Sequence, residues 1–302
     1  MDKKPLIIIA GPTAVGKSKA AVALAKAIGG EVVSADSMQV YRYMDIGSAK
    51  VTEEEMDGVP HHLIDVLDPK EPFNVTVFQR MAKEAVRMIH EKGRVPILCG
   101  GTGFYIQSVL YDIDFTEHGE DPDYRRSLEA FAREEGADAL RRLLEEADPE
   151  GAAAIEGPNV KRMIRALEYH HMTGEPISVH NRTERMKESP YDARYFVLTM
   201  DRGALYERID RRVDLMMEAG LLKEVEWLKA YGCTKEMTSM QGLGYKQLFE
   251  YDDLEDAVSR IKQETRHFAK RQLTWFRREK QAVYIDVLKE NAVNVLKNGT
   301  GR

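Results

Sequence analysis

Gly11-Pro12-Thr13-Ala14-Val15-Gly16-Lys17-Ser18 is a complete G-x-x-x-x-G-K-[ST] stretch, and its flanks decide the fold. Before it, Pro5 to Ala10 is an apolar run of strand length. After it, Ala20, Ala21, Leu24 and Ala27 recur at helical spacing until Gly29-Gly30 stops the helix. Strand, glycine-bearing loop and helix in this order make a phosphate cradle. The glycines permit the turn, backbone N–H groups face the phosphates, Lys17 neutralises charge, and Ser18 is placed to ligate Mg2+. The N-terminus of the following helix adds its own attraction for anions.

Working outward, Glu31 to Ala35 reads as a second strand that delivers Asp36 at its carboxyl end, and His62 to Leu67 as a third. Val75 to Glu91 has helical period, and Arg94 to Cys99 is a further buried-type strand closed by Gly100-Gly101. Alternating strand and helix signals predict an α/β fold, a P-loop NTPase-like parallel sheet with helices on both faces. The pattern breaks from about Asp114 to Tyr191, where only charged amphipathic helix signals are found: Tyr124 to Glu135, Ala137 to Glu146 and Val160 to Met172. Tyr195 to Met200 resumes a strand. Helical segments follow over 205–230 and 254–278, and 282–287 reads as a last strand. The expected map is a catalytic core of residues 1–115 and 193–290, an all-helical insertion over 116–192, and a fraying tail over 291–302.

A length of 302 residues suits about two domains. With 43% hydrophobic and 31% charged residues the profile is that of a soluble globular chain, expected to be cytoplasmic and to have no membrane partner. Two cysteines, Cys99 and Cys233, exclude a disulfide framework and a four-cysteine metal site. The net charge of −6 argues against a nucleic-acid partner, yet it hides an asymmetry. Between Arg260 and Lys280 eight basic residues stand against two acidic ones. On charge pattern alone, that run suits a solvated helix face at least as well as an RNA-binding one. Trp275 and Phe276 read as core anchors, and the pairs His61-His62 and His170-His171 lack metal-ligand spacing.

Nucleotide hydrolysis is poorly supported. The strand-like run Ile97-Leu98-Cys99-Gly100-Gly101 carries no aspartate to act as a Walker-B ligand. A phosphate loop binds diphosphate without requiring that a γ-phosphoryl group be transferred. Asp36 sits at the carboxyl end of a strand, where open α/β sheets hold ligands; a helix-cap or turn role fits it equally well.

The chain resembles the tRNA dimethylallyltransferase family over roughly residues 5 to 288. The resemblance is carried in family order by GPTAVGKS, by ADSMQVYRYMDIGSAK from Ala35 to Lys50, and by PHHLID from Pro60 to Asp65. GGTGFY from Gly100 to Tyr105, KRMIRALE from Lys161 to Glu168, and RIDRRVDLM with the following AGLLKEV continue it. GLGYK from Gly242 to Lys246 and ETRHFAKRQLTWFR from Glu264 to Arg277 complete it.

The resemblance implies transfer of a dimethylallyl group from dimethylallyl diphosphate to the exocyclic amine of the adenine 3′ of the anticodon, with Mg2+. Gly11, Pro12, Thr13, Ala14, Val15, Gly16, Lys17 and Ser18 would hold the diphosphate, Ser18 would ligate the metal, and Arg212 would be a second cation on it. Asp36 would be the general base, so that Asp36, Lys17, Thr13 and Arg212 form the catalytic set. Asp36, Ser37, Met38, Gln39 and Thr102 would contact the flipped nucleotide and its neighbours. Arg125, Lys161, Arg162, Met163, Ile164 and Arg165, with Gln241, Gly242, Leu243, Gly244, Tyr245 and Lys246, would touch tRNA. The insertion would grip the anticodon stem-loop, and the protein would act as a monomer. Two positions depart from the family pattern: Lys246 where arginine is common, which weakens a bidentate phosphate contact, and His267, to which no role is assigned.

Three other readings share the scaffold: a small-molecule kinase or other ATP-dependent enzyme, a non-catalytic RNA-binding protein, and a prenyltransferase acting on free adenine nucleotides. The missing Walker-B residue counts against the first and the position of Asp36 against the second. The insertion and the basic C-terminal run, which a mononucleotide does not need, count against the third.

Overall fold

The computed structural model describes residues 3–115 and 121–299. The chain divides into two compact units, Met1–Leu110 with Ser189–Arg302, and Tyr111–Glu188.

The first unit opens with β1 (Lys4–Ala10), α1 (Lys17–Ile28), β2 (Gly30–Ser34), α2 (Glu53–Met56), β3 (His61–His62), α3 (Val75–Glu91), β4 (Val95–Gly100) and α4 (Gly103–Leu110). The second unit holds α5 (Pro122–Glu134), α6 (Ala137–Ala147), α7 (Pro149–Ala154), α8 (Val160–Thr173) and α9 (Ile177–Met186). The chain then returns to the first unit with β5 (Tyr191–Thr199), α10 (Arg202–Glu218), α11 (Leu221–Ala230), a short 3-10 turn, α12 (Tyr245–Phe249), α13 (Leu254–Phe276), β6 (Val283–Asp286) and α14 (Ala292–Gly299).

The sheet order is β3-β2-β4-β1-β5-β6, and every pairing is parallel. Strands covered on both faces read as unbroken apolar runs, and β2 and β4 are buried throughout. Ile7 and Ile9 of β1, Val32 of β2 and Ile97 of β4 share one core with Ala21, Leu24 and Ala25 of α1. The alternate residues Leu6, Ile8, Val33 and Leu98, equally buried, point the other way. On that side α3 packs against β2 and β4 through a buried stripe of Phe78, Ala82, Val86 and Ile89. Helices therefore cover both faces.

Three expectations need correction. The strand over 62–67 shrinks to His61–His62 and an isolated bridge between Tyr41 and Leu67, because Leu63 and Asp65 take φ of 63° and 54°. Such left-handed residues cannot continue a ladder. A core boundary at 193 would cut β5, since Tyr191 already pairs with Lys4 and Asp192 with Pro5. The tail does not fray over 292–299. Leu296 is fully buried, Ala292 and Val295 pack on the core, and α14 lies against α1. The expected insertion start at 116 and the end of the tail at 300–302 lie outside the described residues.

In the second unit, Leu128, Leu140, Leu144, Met163, Ile164 and Leu167 form a core of their own. The Asp148-Pro149 pair, which looks like a plain turn, begins α7: the buried Asp148 carboxylate accepts from Gly151 N at 2.8 Å and from Ser178 N at 2.9 Å. One side chain caps α7 and ties α9 to it.

Glu31 of β2 is a buried carboxylate held by His62 Nε2 at 2.7 Å, Arg94 Nη1 at 2.8 Å and Lys92 Nζ at 3.1 Å. Burial alone raises its pKa, but hydrogen bonds from His62, Lys92 and Arg94 outweigh that and leave it below its ordinary 4.5. A carboxylate depressed in the native state stabilises the fold above its unfolded pKa and loses that contribution as pH falls through its folded value. Because Lys92 and Arg94 are half exposed, we expect Glu31→Gln to cost about 1.5 kcal/mol at pH 7, the low end for charge-assisted hydrogen bonds. Urea midpoints of the two proteins should converge as pH drops below 4.5. A gap that persists unchanged at pH 4 and below would contradict the ionic account.

Candidate active site

Because β2, β4 and β1 are parallel neighbours, their carboxyl ends present three segments side by side: Ala35-Asp36, Gly101-Thr102 and the 11–18 loop. Backbone hydrogen bonds fix the first two, with Ala35 N donating to Cys99 O at 2.8 Å and Thr102 N to Ala35 O at 3.3 Å. This is the edge at which open α/β sheets bind ligands.

Gly16 has φ of +101° with open space where a Cβ would stand, so backbone conformation rather than crowding demands glycine there. Val15 points into the core, leaving only its backbone for a ligand. Lys17 is half-buried and donates to Pro12 O at 2.8 Å. Burial pulls its ammonium from 10.5 down to about 8; the charge of Arg212 pulls the same way, and Cys99 and Asp36 offset part of it. A lysine short of hydration and counter-charge is suited to receive an anion. Burial also pushes the Cys99 thiol up to about 11, so it stays protonated at neutral pH. Arg212, on α10, reaches to 3.4 Å from Thr13 Oγ1 and lies in the field of Asp36.

Asp36 Oδ1 accepts from Met38 N at 2.8 Å and from Gln39 N at 3.4 Å. Among the described residues none donates to Oδ2. The turn role and the ligand-facing role are therefore compatible, one oxygen for each. The Gln39 amide donates to Ala49 O at 3.2 Å and Ser48 O at 3.5 Å. That loop is gripped by Glu224, whose carboxylate accepts from Asp45 N at 2.9 Å, Ile46 N at 2.8 Å, Gly47 N at 3.1 Å and Tyr245 Oη at 2.6 Å. Nothing in the sequence pattern assigns Glu224 this work; only its place in AGLLKEV draws notice.

The sequence profile of IPP transferases matches residues 39–279. The chain belongs to the IPP transferase family. A tRNA dimethylallyltransferase of Lachnoclostridium phytofermentans is 57% identical over 286 residues, covering 93% of this chain and 91% of that protein. The crystal structure of the full-length tRNA isopentenylpyrophosphate transferase of Bacillus halodurans is similar with a TM-score of 0.74 at 44% identity, covering 99% of this chain and 96% of that one. A eukaryotic dimethylallyltransferase caught acting on tRNA aligns with a TM-score of 0.81 at 29% identity, covering 98% of this chain and 77% of that one.

The residues expected to touch tRNA in this family fall into two sets. In the first unit, a Cβ on Gly242 would stand 2.8 Å from Met38 Sδ, so the 241–246 stretch lies against the 36–39 segment. Gln241 and Lys246 are exposed there, and Leu243 is half-buried. Tyr245 is a correction: it is fully buried, its hydroxyl spent on Glu224, and it offers no surface to RNA. In the second unit Lys161 and Arg162 are exposed, whereas Met163 and Ile164 sit in the core at 0% and 5% exposure. The helical repeat alone forces this, since four consecutive positions cannot share one face. Arg125 and Arg165 bind the buried Glu168 at 2.7 Å and 3.7 Å.

A magnesium ion must be judged on the donors present. Among the described residues no three His, Cys, Asp or Glu side chains gather to hold a metal. Ser18 follows Lys17 in the first turn of α1. One hydroxyl beside a phosphate loop fits Mg2+, which takes few protein ligands and most of its oxygens from substrate phosphates and water. It does not fit a resident, all-protein metal site.

Proposed function

We propose that this protein transfers a dimethylallyl group from dimethylallyl diphosphate to the exocyclic amine of the adenine 3′ of the anticodon in tRNA, releasing diphosphate. The observation that carries the reading is the placement of a phosphate loop and Asp36 at the carboxyl ends of β1 and β2, the strands on either side of β4, with the charge of Asp36 felt at Lys17 and Arg212.

The amine is a poor nucleophile because its lone pair is delocalised into the ring. As the N–C bond forms and the C–O bond to diphosphate breaks, the Asp36 carboxylate takes the amine proton. Positioned proton removal is worth about 10²–10⁴-fold, or roughly 3–5 kcal/mol of barrier. Lys17 and Arg212 meet the negative charge that grows on the departing diphosphate. Mg2+ held by Ser18 and the phosphate oxygens would add to that stabilisation when bound. The base reaches the pocket by leaving its stack in the anticodon loop.

An acidic chain binds a polyanion through local charge. Lys262 and Arg266 of α13 are spent on Asp214 and Asp210, each at 2.5 Å, and Arg260 on Asp256 at 2.8 Å. Lys270, Arg271, Arg277, Arg278 and Lys280 are exposed at the end of α13 that carries the site contacts. Unmodified tRNA offered with labelled dimethylallyl diphosphate should accept label, with AMP in excess failing to compete. If those five cations each meet a phosphate, log affinity should fall with log salt at a slope near −3.5, about −0.7 for each. Labelling of AMP in preference to tRNA, or phosphate release from ATP in place of labelling, would overturn the reading.

A further inference from the structure

Gln272 lies in the middle of the basic stretch of α13, yet it is only 6% exposed. A buried amide that left its donors or acceptor unpaired would cost stability. Here both ends are used, and on two different loops. Oε1 accepts the backbone N–H of Thr13 at 2.9 Å, and Nε2 donates to the carbonyl of Gly101 at 2.9 Å. The approach is close: a Cβ on Gly101 would stand 2.2 Å from Nε2, so glycine at 101 is the condition for the contact. Three residues on, along the same helix face, Trp275 presses on Gly103 in the same way, where a Cβ would stand 2.1 Å from the indole Cδ1.

The two loops that Gln272 joins carry the two halves of the reaction. With its N–H committed to Gln272, Thr13 presents its hydroxyl to Arg212 on the donor side. On the acceptor side, Gly101 precedes Thr102, whose N–H donates to the carbonyl of Ala35, the residue before Asp36. One continuous set of contacts therefore runs from Arg212 through Thr13, Gln272 and the 101–102 peptide to the backbone that carries Asp36. Glutamine combines this reach with a carbonyl acceptor and an NH2 donor group at its end. Glutamate has no donor when ionised, methionine has neither group, and asparagine is one carbon short.

We propose that Gln272 is a positioning residue for transfer: it sets the spacing between the loop that holds the donor diphosphate and the segment that holds the acceptor and its base. The proposal rests on the reading of the 11–18 loop as the donor site. A displacement at saturated carbon depends steeply on the approach of the two reacting atoms, and an error of about 1 Å can cost on the order of 10²-fold in rate. Loss of the clip should thus appear in the chemical step rather than in the affinity of either substrate.

The test compares wild type with Gln272→Met, which keeps length and loses both hydrogen bonds, and Gln272→Glu, which keeps the acceptor for Thr13 and turns the Gly101 contact repulsive. Three quantities are measured for each: the single-turnover rate of prenyl transfer per folded molecule at saturating substrates, the dissociation constant of tRNA, and the thermal midpoint. The expected result is a rate reduced at least about tenfold in Gln272→Met. Gln272→Glu should fall as well, and tRNA affinity should stay within about threefold of wild type in both. A residue that only supports the fold would lower the midpoint and the folded fraction without changing the rate per folded molecule. A rate within about twofold of wild type in either variant that folds, or a loss confined to tRNA affinity, overturns the proposal. Failure of the wild-type protein itself to transfer the prenyl group would instead remove the donor-site reading.

Discussion

Asp36→Asn should lower the single-turnover rate of prenyl transfer at least about 100-fold while donor and tRNA affinities stay near wild type, because only proton removal is lost. The geometry makes this substitution unusually clean. The turn after β2 uses Oδ1 alone, accepting from Met38 N and Gln39 N, and an asparagine carbonyl can take both hydrogen bonds. The 36–39 segment should therefore keep its shape. What changes is the second oxygen, which becomes an NH2 group unable to accept a proton. The charge felt at Lys17 and Arg212 also disappears, but it is one of several contributions there and its loss does not weaken the hold on a diphosphate, so the defect should be confined to the chemical step. A mutant that transfers the prenyl group at near-normal rate would leave Asp36 as a turn residue and nothing more.

Parts of this architecture are legible in the sequence because they rest on local rules. The cradle announces itself through two glycines and Lys17-Ser18 between an apolar run and a helix. The helices over 75–91 and 160–173 announce themselves through apolar periodicity; their caps, Asn74 and Asn159, emerge only in the structure. What remains hidden depends on residues far apart in the chain. Gln272 reads as one polar residue in a charged helix, and Glu224 as one acid among several. Each acquires meaning only when the fold brings Thr13, or the amides of Asp45 to Gly47, within 3.1 Å. The strand expected over 62–67 fails for a related reason: a short, mostly apolar run says nothing about the left-handed turns that Leu63 and Asp65 take under tertiary constraint. Motif boundaries mislead differently. KRMIR and GLGYK, taken as contiguous contact stretches, include Met163, Ile164 and Tyr245, whose side chains the fold needs in its core.

Lys17→Ala should damage the donor half of the reaction and spare the acceptor half. Among the described residues the half-buried lysine's ammonium donates only to the Pro12 carbonyl, at 2.8 Å, and its pKa is drawn down to about 8. A diphosphate supplies the counter-charge that this environment lacks, and one charge-assisted contact of that kind is worth about 1.5–3 kcal/mol. Donor affinity should accordingly fall by roughly 10- to 150-fold. The rate at saturating donor should fall too, since charge on the leaving diphosphate grows as the C–O bond breaks and the lysine matters more in the transition state than before it. If cations elsewhere on the chain carry tRNA, as proposed, its affinity should stay within about twofold. Fluorescence or calorimetric titration of each substrate alone separates the two effects. If tRNA binding collapsed while donor binding persisted, the 11–18 loop would be holding RNA phosphate. Asp36 would then have no donor beside it, and the pairing of phosphate cradle and carboxylate that organises this site would need another explanation.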